Sequence, residues 1–158
     1  MREYDLYMKI IYRPATHSDI DEIFRLCKEL IDTYEDNTSI PYEKVMQWVH
    51  DKITQNIQEY RVILYEGNTT GYVHFFCNEY NQWEIDDLYI LKPYQKNGIG
   101  TYVIKECCAQ VNEPVYLYVF TSNTDAYNLY QNIGFKVIQN IHQTRLLMRR
   151  DPKEAEQL

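Results

Sequence analysis

The sequence predicts one domain built on a mixed α/β sheet flanked by helices, in the order β-α-α-β-β-β-α-β-α-β-β. Three observations lead to this prediction. The chain has 158 residues, 45% hydrophobic and 25% charged, which suits a single folded domain with its own core. Segments of two-residue period alternate with segments of helical period. Three strand segments also follow one another with short turns, unlike the regular alternation of a Rossmann fold. We expect the domain to span residues 1–150 and a polar tail to follow at 151–158.

The first half of the chain is predicted to contain one strand, two helices and an antiparallel meander. Residues 9–13 are β-branched and aromatic, which favours a strand that ends at Pro14. Apolar residues then recur with a helical period, so we expect helices at about 18–34 and from Pro41 onward, separated by a polar loop. The meander strands are predicted at 61–66, 71–78 and 83–91, with turns at Gly67 and near Asn81.

The second half is predicted to alternate helices and strands before a last pair of strands. A turn after Pro93 leads to a helix at about 100–111, and residues 115–120 form a strand buried enough to be central. Asn123 and Asp125 are candidate caps for a helix that runs to about residue 132 and ends at Gly134. The last two strands are predicted at 135–139 and 144–148.

The charge balance restricts the partners that this chain can bind. Lys and Arg total 16 against 23 Asp and Glu, a net charge of -7, and this field opposes nucleic acid and anionic membranes. It favours a positively charged substrate, although an acidic surface needed only for solubility explains the charge equally well. No apolar run approaches the ~20 residues of a membrane span, and the polar N-terminus does not fit a secretory signal. We therefore expect a cytoplasmic protein with no nucleic-acid or membrane partner.

The cysteines and histidines do not predict a metal site. The four cysteines form no C-x-x-C pair, and the four histidines are scattered without metal-ligand spacing. The expected state is buried, reduced thiols. The cysteines are Cys27, Cys77, Cys107 and Cys108.

A glycine-containing loop after a strand is the most informative segment. Gly98 and Gly100 let the backbone approach a ligand closely, and the helix that follows directs unpaired N–H groups and its positive dipole end to the same place. Lys96 adds a positive charge. These features predict a pyrophosphate site, although a turn glycine followed by a helix cap would show the same pattern. Val103 stands where the dinucleotide-binding fingerprint has its third glycine, which argues against dinucleotide binding.

Two motifs in this region resemble those of the GNAT acyltransferase superfamily. Gln95, Gly98 and Gly100 fit Q/R-x-x-G-x-G/A, with Lys96 and Asn97 in place of the more common Arg-Gly or Arg-Lys. The second motif, N-x-x-A-x-x-L-Y-x-x-x-G-F, is fitted by Asn123, Ala126, Leu129, Tyr130, Gly134 and Phe135. The motifs stand at the usual separation, and the element order matches the family's fold over nearly the whole domain.

The resemblance implies acetyl-coenzyme A as cofactor and assigns residues to it. In the family, backbone groups of the strand equivalent to Leu88, Tyr89 and Ile90 pair with the pantetheine arm, and one amide polarises the thioester carbonyl. Asn123 commonly touches the cofactor arm, and Tyr130 aligns with the tyrosine that acts as general acid. Gln95 is assigned to the cofactor, and the pyrophosphate would be held by the amides of Lys96, Asn97, Gly98, Ile99, Gly100 and Thr101.

The candidate general bases lie on the strand before this loop. A protonated amine cannot attack a thioester, so a nearby group must accept its proton. Glu84 and Asp86 should share one face of the strand and Asp87 the other, unless a bulge intervenes. Glu84 matches the base position of one family branch and Asp86 that of the polyamine-acetylating branch. We favour Asp86 as base or amine-binding carboxylate, although all three could instead be solvent-facing strand residues.

The expected reaction is direct acetyl transfer to a primary amine. Tyr34 and Glu35 lie where the family binds its acceptors, and with Asp87 they would suit a small cationic amine such as a polyamine or an aminoglycoside. Alternatives are a non-catalytic acyl-CoA sensor, a protein lysine or N-terminal acetyltransferase, and an O-acyl or longer-acyl transferase. The family often dimerises through its last strands, and the apolar run Leu146–Met148 is compatible with a homodimer, although core burial explains it equally well.

Overall fold

The computed structural model of the chain describes residues 3–36, 38 and 40–153. Over these residues, seven strands form one mixed sheet and helices cover both of its faces. The helices are α1 (Glu3–Lys9), α2 (Ile20–Tyr34), α3 (Tyr42–Asn56), α4 (Ile99–Ala109) and α5 (Thr124–Ile133). The strands are β1 (Ile10–Pro14), β2 (Tyr60–Tyr65), β3 (Asn68–Cys77), β4 (Trp83–Ile90), β5 (Val115–Phe120), β6 (Lys136–Ile141) and β7 (Arg145–Arg150).

The sheet confirms the predicted fold class. Its strand order is β1-β2-β3-β4-β5-β7-β6. The first four strands pair antiparallel in sequence order, β4 and β5 pair in parallel, and β5, β7 and β6 are antiparallel again. A parallel pair needs a crossover between its strands, and α4 is the helix in that crossover. The centre of the sheet is therefore the place where the direction of pairing changes.

Helix α1 was not predicted. The sequence reading placed a strand from residue 9 and no element before it, whereas the structure has a seven-residue helix ending at Lys9. A helix this short is marginal in isolation. Leu6 is only 3% exposed and packs in the core that also contains Ile99 of α4. Tertiary packing against α4 therefore stabilises a segment whose local sequence is polar.

The two faces of the sheet bury separate cores. One core lies under α4 and α5 and contains fully buried residues such as Val103, Leu117 and Phe135. The other lies under α2 and α3 and contains Ile23 and Ile53. Side chains of successive strand residues alternate between the two. The strand β4 thus reaches both cores.

The cysteines are free, but they are not all buried. Cys27, Cys107 and Cys108 are buried, whereas Cys77 at the end of β3 is exposed, contrary to the expectation of buried thiols. Burial raises the pKa of the Cys27 and Cys107 thiols to about 12. Both thiols are therefore protonated at neutral pH and unreactive as nucleophiles.

The end of the chain adds three observations. The strands predicted at 135–139 and 144–148 each begin one residue later and end two residues later, as β6 and β7. Met148 is fully buried in the core, so the homodimer through the last strands stays a prediction with less apolar surface to support it. Residues 151–153 form no helix or strand, and 154–158 of the predicted tail lie outside the described residues.

Within the described ranges, no helix has the length and apolar character to cross a bilayer.

Candidate active site

The parallel strands β4 and β5 separate and leave an opening in the sheet. Their pairing runs from Trp83 opposite Val115 to Ile85 opposite Leu117. Both strands continue beyond that point, over 86–90 and 118–120. The edge of β4 in this stretch is therefore available to a ligand on the β5 side while its other edge pairs with β3. Alternate backbone N–H and C=O groups along such an edge can pair with an extended molecule.

A cavity of about 280 Å³ occupies this opening. Its walls include Asp86, Asp87, Leu88 and Tyr89 of β4 together with Tyr130 of α5. The cavity thus brings together several of the side chains that the sequence analysis selected from two separate motifs. Its further lining residues are Cys27, Leu30, Ile31, Trp48, Val49, Lys52, Ile85, Leu117, Tyr118, Val119, Phe120, Asn123, Ala126 and Arg145.

A β-bulge determines how the acidic residues of β4 are arranged. His74 of β3 pairs with Asp87 and the next residue, Phe75, pairs with Ile85, which leaves Asp86 as an extra residue. Both Asp86 and Asp87 consequently reach the ammonium of Lys52, at 2.8 and 3.4 Å. The bulge considered in the sequence analysis is therefore present, and Asp87 does not lie on the opposite face.

Asp86 is an ionised carboxylate in the wall of the cavity. Its Oδ2 atom accepts a hydrogen bond from Lys52 at 2.8 Å and lies 2.9 Å from Nδ1 of His74. Burial opposes the charge on Asp86, but His74 and Lys52 outweigh it and hold the pKa of this carboxyl below its ordinary value. Lys52 is protonated in turn, because Asp87 and Asp86 raise its pKa against the effect of burial.

Asp87 is more deeply buried than Asp86 and has the opposite pKa shift. Its two oxygens accept hydrogen bonds from the hydroxyls of Tyr60 and Tyr89, the latter at 2.9 Å. Burial, and then the charge of Asp86, raise the pKa of Asp87, although Lys52 and the two hydroxyls favour its charged form. The two neighbouring carboxyl groups therefore differ in how firmly they hold a proton.

Glu84 lies outside the cavity lining. It sits in the part of β4 that is still paired with β5, opposite Tyr116. Its carboxylate accepts a hydrogen bond from Nδ2 of Asn78 at 3.1 Å, and burial raises its pKa. Of the two carboxylates that match base positions of the family, Glu84 and Asp86, only Asp86 thus lines the cavity, together with Asp87.

Helix α5 contributes Asn123 and Tyr130. The Asn123 side chain caps the helix by accepting a hydrogen bond from the backbone N–H of Ala126 at 3.3 Å. Gly134 ends the helix in the left-handed region, with φ 111°. Tyr130 packs edge-on against Phe135, with ring centroids 6.1 Å apart. Burial raises the pKa of Tyr130 to about 12, so its hydroxyl carries a proton at neutral pH.

The predicted pyrophosphate loop has the backbone geometry that the glycines suggested. Gly98 is the N-cap of α4 with φ 81°, in the left-handed region. Gln95 donates its side-chain amide to the carbonyl of Ile90 at 2.8 Å and so fixes the start of the loop. A Cβ atom on Gly100 would meet Ile90 at 3.7 Å, an ordinary contact. The fold itself therefore accepts a side chain at position 100, and close approach of a ligand remains a reason for glycine.

The first turn of α4 supplies the hydrogen-bond donors at this loop. The N–H groups at the start of an α-helix have no intrahelical acceptor, and here they belong to Ile99, Gly100 and Thr101. Lys96, with φ 65°, and Asn97 are exposed beside them. This arrangement can hold a phosphate group.

Residues 34 and 35 lie beside the cavity and do not line it. Tyr34 stacks on Phe120, with ring centroids 6.3 Å apart, and Phe120 belongs to the cavity wall. The Tyr34 carbonyl accepts a hydrogen bond from Oγ of Ser122 at 2.8 Å. Glu35 is the half-buried C-cap of α2. Tyr34 therefore contacts the cavity wall through Phe120, and Glu35 makes no contact of this kind among the residues that the structure describes.

Comparison with known proteins identifies the family. Residues 20–135 match the sequence model of the acetyltransferase (GNAT) family. The chain belongs to the GNAT acetyltransferase family. Membership implies acetyl transfer that depends on acetyl-CoA, and it leaves the acceptor open. No curated protein sequence matches this acetyltransferase significantly.

Solved structures share the fold of this acetyltransferase at low sequence identity. PaiA N-acetyltransferase from Thermoplasma acidophilum, in complex with coenzyme A, is 18% identical with a TM-score of 0.66, and the match covers 91% of this chain and 99% of that one. An acetyltransferase from Thermus thermophilus is 15% identical with a TM-score of 0.70 over 90% and 96%. N-acetylglutamate synthase from Neisseria gonorrhoeae, complexed with coenzyme A and L-arginine, is 15% identical with a TM-score of 0.63 over 91% and 33%.

The acetyltransferase site also contains residues that sequence reasoning missed. Lys52 lies beside the buried stripe of α3 that contains Val49 and Ile53. A cation next to buried helix positions is a feature of the sequence from which Lys52 could have been selected as a site residue. His74 is a lone histidine in a buried stretch of β3. One donor atom each from His74, Asp86 and Asp87 lie within 4.8 Å of one another, and the Lys52 ammonium contacts both carboxylates. The other lining residues with aromatic or charged side chains that were not predicted are Trp48, Tyr118, Phe120 and Arg145.

Proposed function

We propose that this acetyltransferase moves an acetyl group from acetyl-CoA to a primary amine by direct attack of the amine on the thioester. The observation that carries the proposal is the cavity between β4 and β5, which combines a free strand edge, the ionised Asp86 and the protonated Tyr130. The reaction forms a bond between the amine nitrogen and the acetyl carbon and breaks the carbon–sulfur bond. The amine loses one proton and the leaving thiolate gains one.

The donor would lie along β4 and end at α4. The pyrophosphate would accept hydrogen bonds from the loop between Lys96 and Thr101, where the first turn of α4 supplies unpaired N–H groups. The pantetheine arm would pair with the free edge at Leu88, Tyr89 and Ile90. The thioester carbonyl would then accept a backbone N–H, which stabilises the charge that develops on its oxygen. Asn123, in the same cavity, would contact the arm.

Tyr130 is proposed as the general acid. Tyr130 lines the cavity, and its hydroxyl carries a proton at neutral pH because burial raises its pKa to about 12. The hydroxyl would donate this proton to the sulfur as the carbon–sulfur bond breaks. The position of Tyr130 in the motif supports the same role.

Asp86 is proposed as the group that receives the acceptor amine and its proton. It faces the cavity and is ionised, whereas Glu84 lies outside the lining and Asp87 is only 8% exposed. Substitution of each carboxyl group by its amide separates the three candidates. We expect Asp86→Asn to lower kcat on the order of 100-fold, the loss typical of a missing general base. A larger loss in Glu84→Gln would transfer the role to Glu84.

The acceptor is proposed to be a small cationic amine such as a polyamine or an aminoglycoside. The Lys52 ammonium already sits in the environment that such an amine needs: it lies 2.8 Å from Asp86 and 5.7 Å from the centroid of the Trp48 ring. Trp48 and Tyr118 are exposed aromatic residues in the cavity wall. A second candidate is an amine that also carries an anionic group, because both Lys52 and Arg145 line the cavity.

A coenzyme A release assay against a panel of amines tests the proposal. The panel should contain spermidine, an aminoglycoside, free amino acids and a lysine peptide, and binding of coenzyme A should be measured by calorimetry in parallel. Release with spermidine or the aminoglycoside supports the proposed acceptor, and release with amino acids alone supports the second candidate. Release with the peptide alone indicates a protein acceptor. Binding without release for every amine overturns the enzyme assignment and leaves an acyl-CoA sensor.

A further inference from the structure

A buried histidine joins the cavity to the protein surface. His74 of β3 is 1% exposed, and each of its ring nitrogens faces a carboxylate. Nδ1 lies 2.9 Å from Oδ2 of Asp86, and Nε2 lies 2.9 Å from Oε2 of Glu59. Glu59 ends the 3-10 turn before β2, and its side chain is 47% exposed. The histidine therefore bridges a carboxylate of the cavity wall and a carboxylate in contact with solvent.

The ring of His74 is held in a fixed orientation. It stacks between the side chains of Tyr60 and Phe76, with centroid distances of 4.3 Å on both sides and interplanar angles of 16° and 6°. Rotation of the imidazole out of this stack would break both ring contacts and both hydrogen bonds. Packing and hydrogen bonding thus impose the same ring plane.

The charges around His74 favour its protonated form. Asp86 and Glu59 contact the ring directly. Asp87 lies nearby and accepts hydrogen bonds from Lys52 and from the hydroxyl of Tyr60. Burial opposes a charge on the ring, but the hydrogen bonds to Asp86 and Glu59 outweigh it and raise the pKa of His74. An imidazolium donates from both nitrogens, so each carboxylate receives one N–H.

Asp86 needs such a partner because of the bulge. An extra residue on a bulged strand has no cross-strand neighbour that fixes its side chain. Both observed contacts of Asp86, with His74 and with Lys52, use Oδ2. The other oxygen, Oδ1, accepts no hydrogen bond from the residues that the structure describes. It is therefore the oxygen that remains for an acceptor amine.

We propose that His74, anchored by Glu59, is a positioning residue for acetyl transfer that holds the Asp86 carboxylate oriented toward the cavity. This inference rests on the proposed function, in which Asp86 receives the acceptor amine. Glu59 acts on Asp86 only through the histidine. The dependence runs in one direction. Removing Glu59 takes one of the two carboxylate contacts from His74, and removing His74 leaves Asp86 with Lys52 as its other observed contact.

A double-mutant cycle tests this dependence. We expect His74→Gln to lower kcat on the order of tenfold and to leave the KM for acetyl-CoA unchanged, since the loss passes through one carboxylate whose full removal costs more. In the Asp86→Asn background the same substitution should cause no further loss. Glu59→Gln should have a smaller effect that disappears in the His74→Gln background. His17→Gln and Glu113→Gln, which alter exposed residues, are the matched controls.

A structural role would give a different pattern. If His74 only supported the core, its substitution would lower kcat by the same factor with and without Asp86, and that additivity would overturn the proposal. A wild-type protein that releases no coenzyme A with any amine would instead overturn the proposed function. NMR titration of the His74 ring gives a readout that does not need turnover: the pKa should lie above the ordinary value in the wild type and fall in Glu59→Gln. An unchanged His74 pKa in that variant would contradict the anchoring by Glu59.

Discussion

The Nζ atom of Lys52 lies 2.8 Å from Oδ2 of Asp86 and connects helix α3 to the bulged strand β4 inside the cavity. The two side chains are 18% and 21% exposed, so water screens this ion pair only partly. The pair fixes the wall of the cavity that the acceptor amine would enter. It also places a positive charge next to both carboxylates of β4.

Loss of the Lys52 charge should destabilise the protein. Lys52→Met leaves Asp86 and Asp87 as neighbouring carboxyl groups without their shared cation, and breaking a buried pair in this way costs about 3 kcal/mol. Urea unfolding at neutral pH measures the change. Lys44→Met, an exposed substitution on the same helix, is the control and should leave the free energy of unfolding nearly unchanged. Equal stability of the two variants would show that the ion pair contributes little.

Tyr130→Phe should separate chemistry from binding. Loss of the hydroxyl removes the proton donor for the leaving thiolate, so we expect kcat to fall on the order of 100-fold. The ring still packs edge-on against Phe135, and coenzyme A affinity by calorimetry should be nearly the same. Tyr127→Phe, on the same helix outside the cavity lining, is the matched control. Unchanged turnover in Tyr130→Phe would remove this residue from the mechanism.

Gly100→Ala should weaken coenzyme A binding without weakening the fold. A Cβ atom at this position makes an ordinary contact with Ile90 at 3.7 Å, and alanine is a better helix former than glycine. The methyl group would stand among the N–H donors of the first turn of α4. We expect the melting temperature to stay the same or rise, and coenzyme A affinity to fall on the order of tenfold. Full affinity in this variant would place the pyrophosphate elsewhere.

Gly71→Ala should destabilise the fold, unlike Gly100→Ala. A Cβ atom on Gly71 would lie 2.0 Å from the carbonyl oxygen of Tyr89 in the neighbouring strand. Strand β3 would have to move away from β4, at a cost of about 1–3 kcal/mol. Thermal unfolding of the two alanine variants side by side provides the comparison. A Gly71 variant as stable as Gly100→Ala would contradict the close approach of the strands.

The stability that His74 contributes should depend on pH. Its folded-state pKa is raised above the ordinary value of about 6.5, so the contribution is complete below that value and disappears as pH rises through the folded pKa. The difference in unfolding free energy between wild type and His74→Gln should therefore shrink from about pH 6 toward alkaline pH. Urea unfolding at a series of pH values measures it, with His17→Gln as control. A difference that grows with pH would contradict a protonated His74.

The sequence by itself determined the features that depend on neighbouring residues. The N-cap at Asn123, the left-handed Gly134 and the position of Tyr130 all follow from one continuous helix segment. The loop at Gly98 and the first turn of α4 are equally local. Turns, caps and helical periods arise over a few residues, so each can be predicted without knowing what packs against it.

Only the tertiary structure decided the arrangement of charges in the cavity. Asp86 lies on a bulge whose position depends on how β3 pairs with β4, and its partners Lys52 and His74 are separated from it by 34 and 12 residues. Helix α1 forms because Leu6 packs beside α4. Strand register and contacts between distant elements are set by the energy of the whole fold, and local sequence carries little information about them.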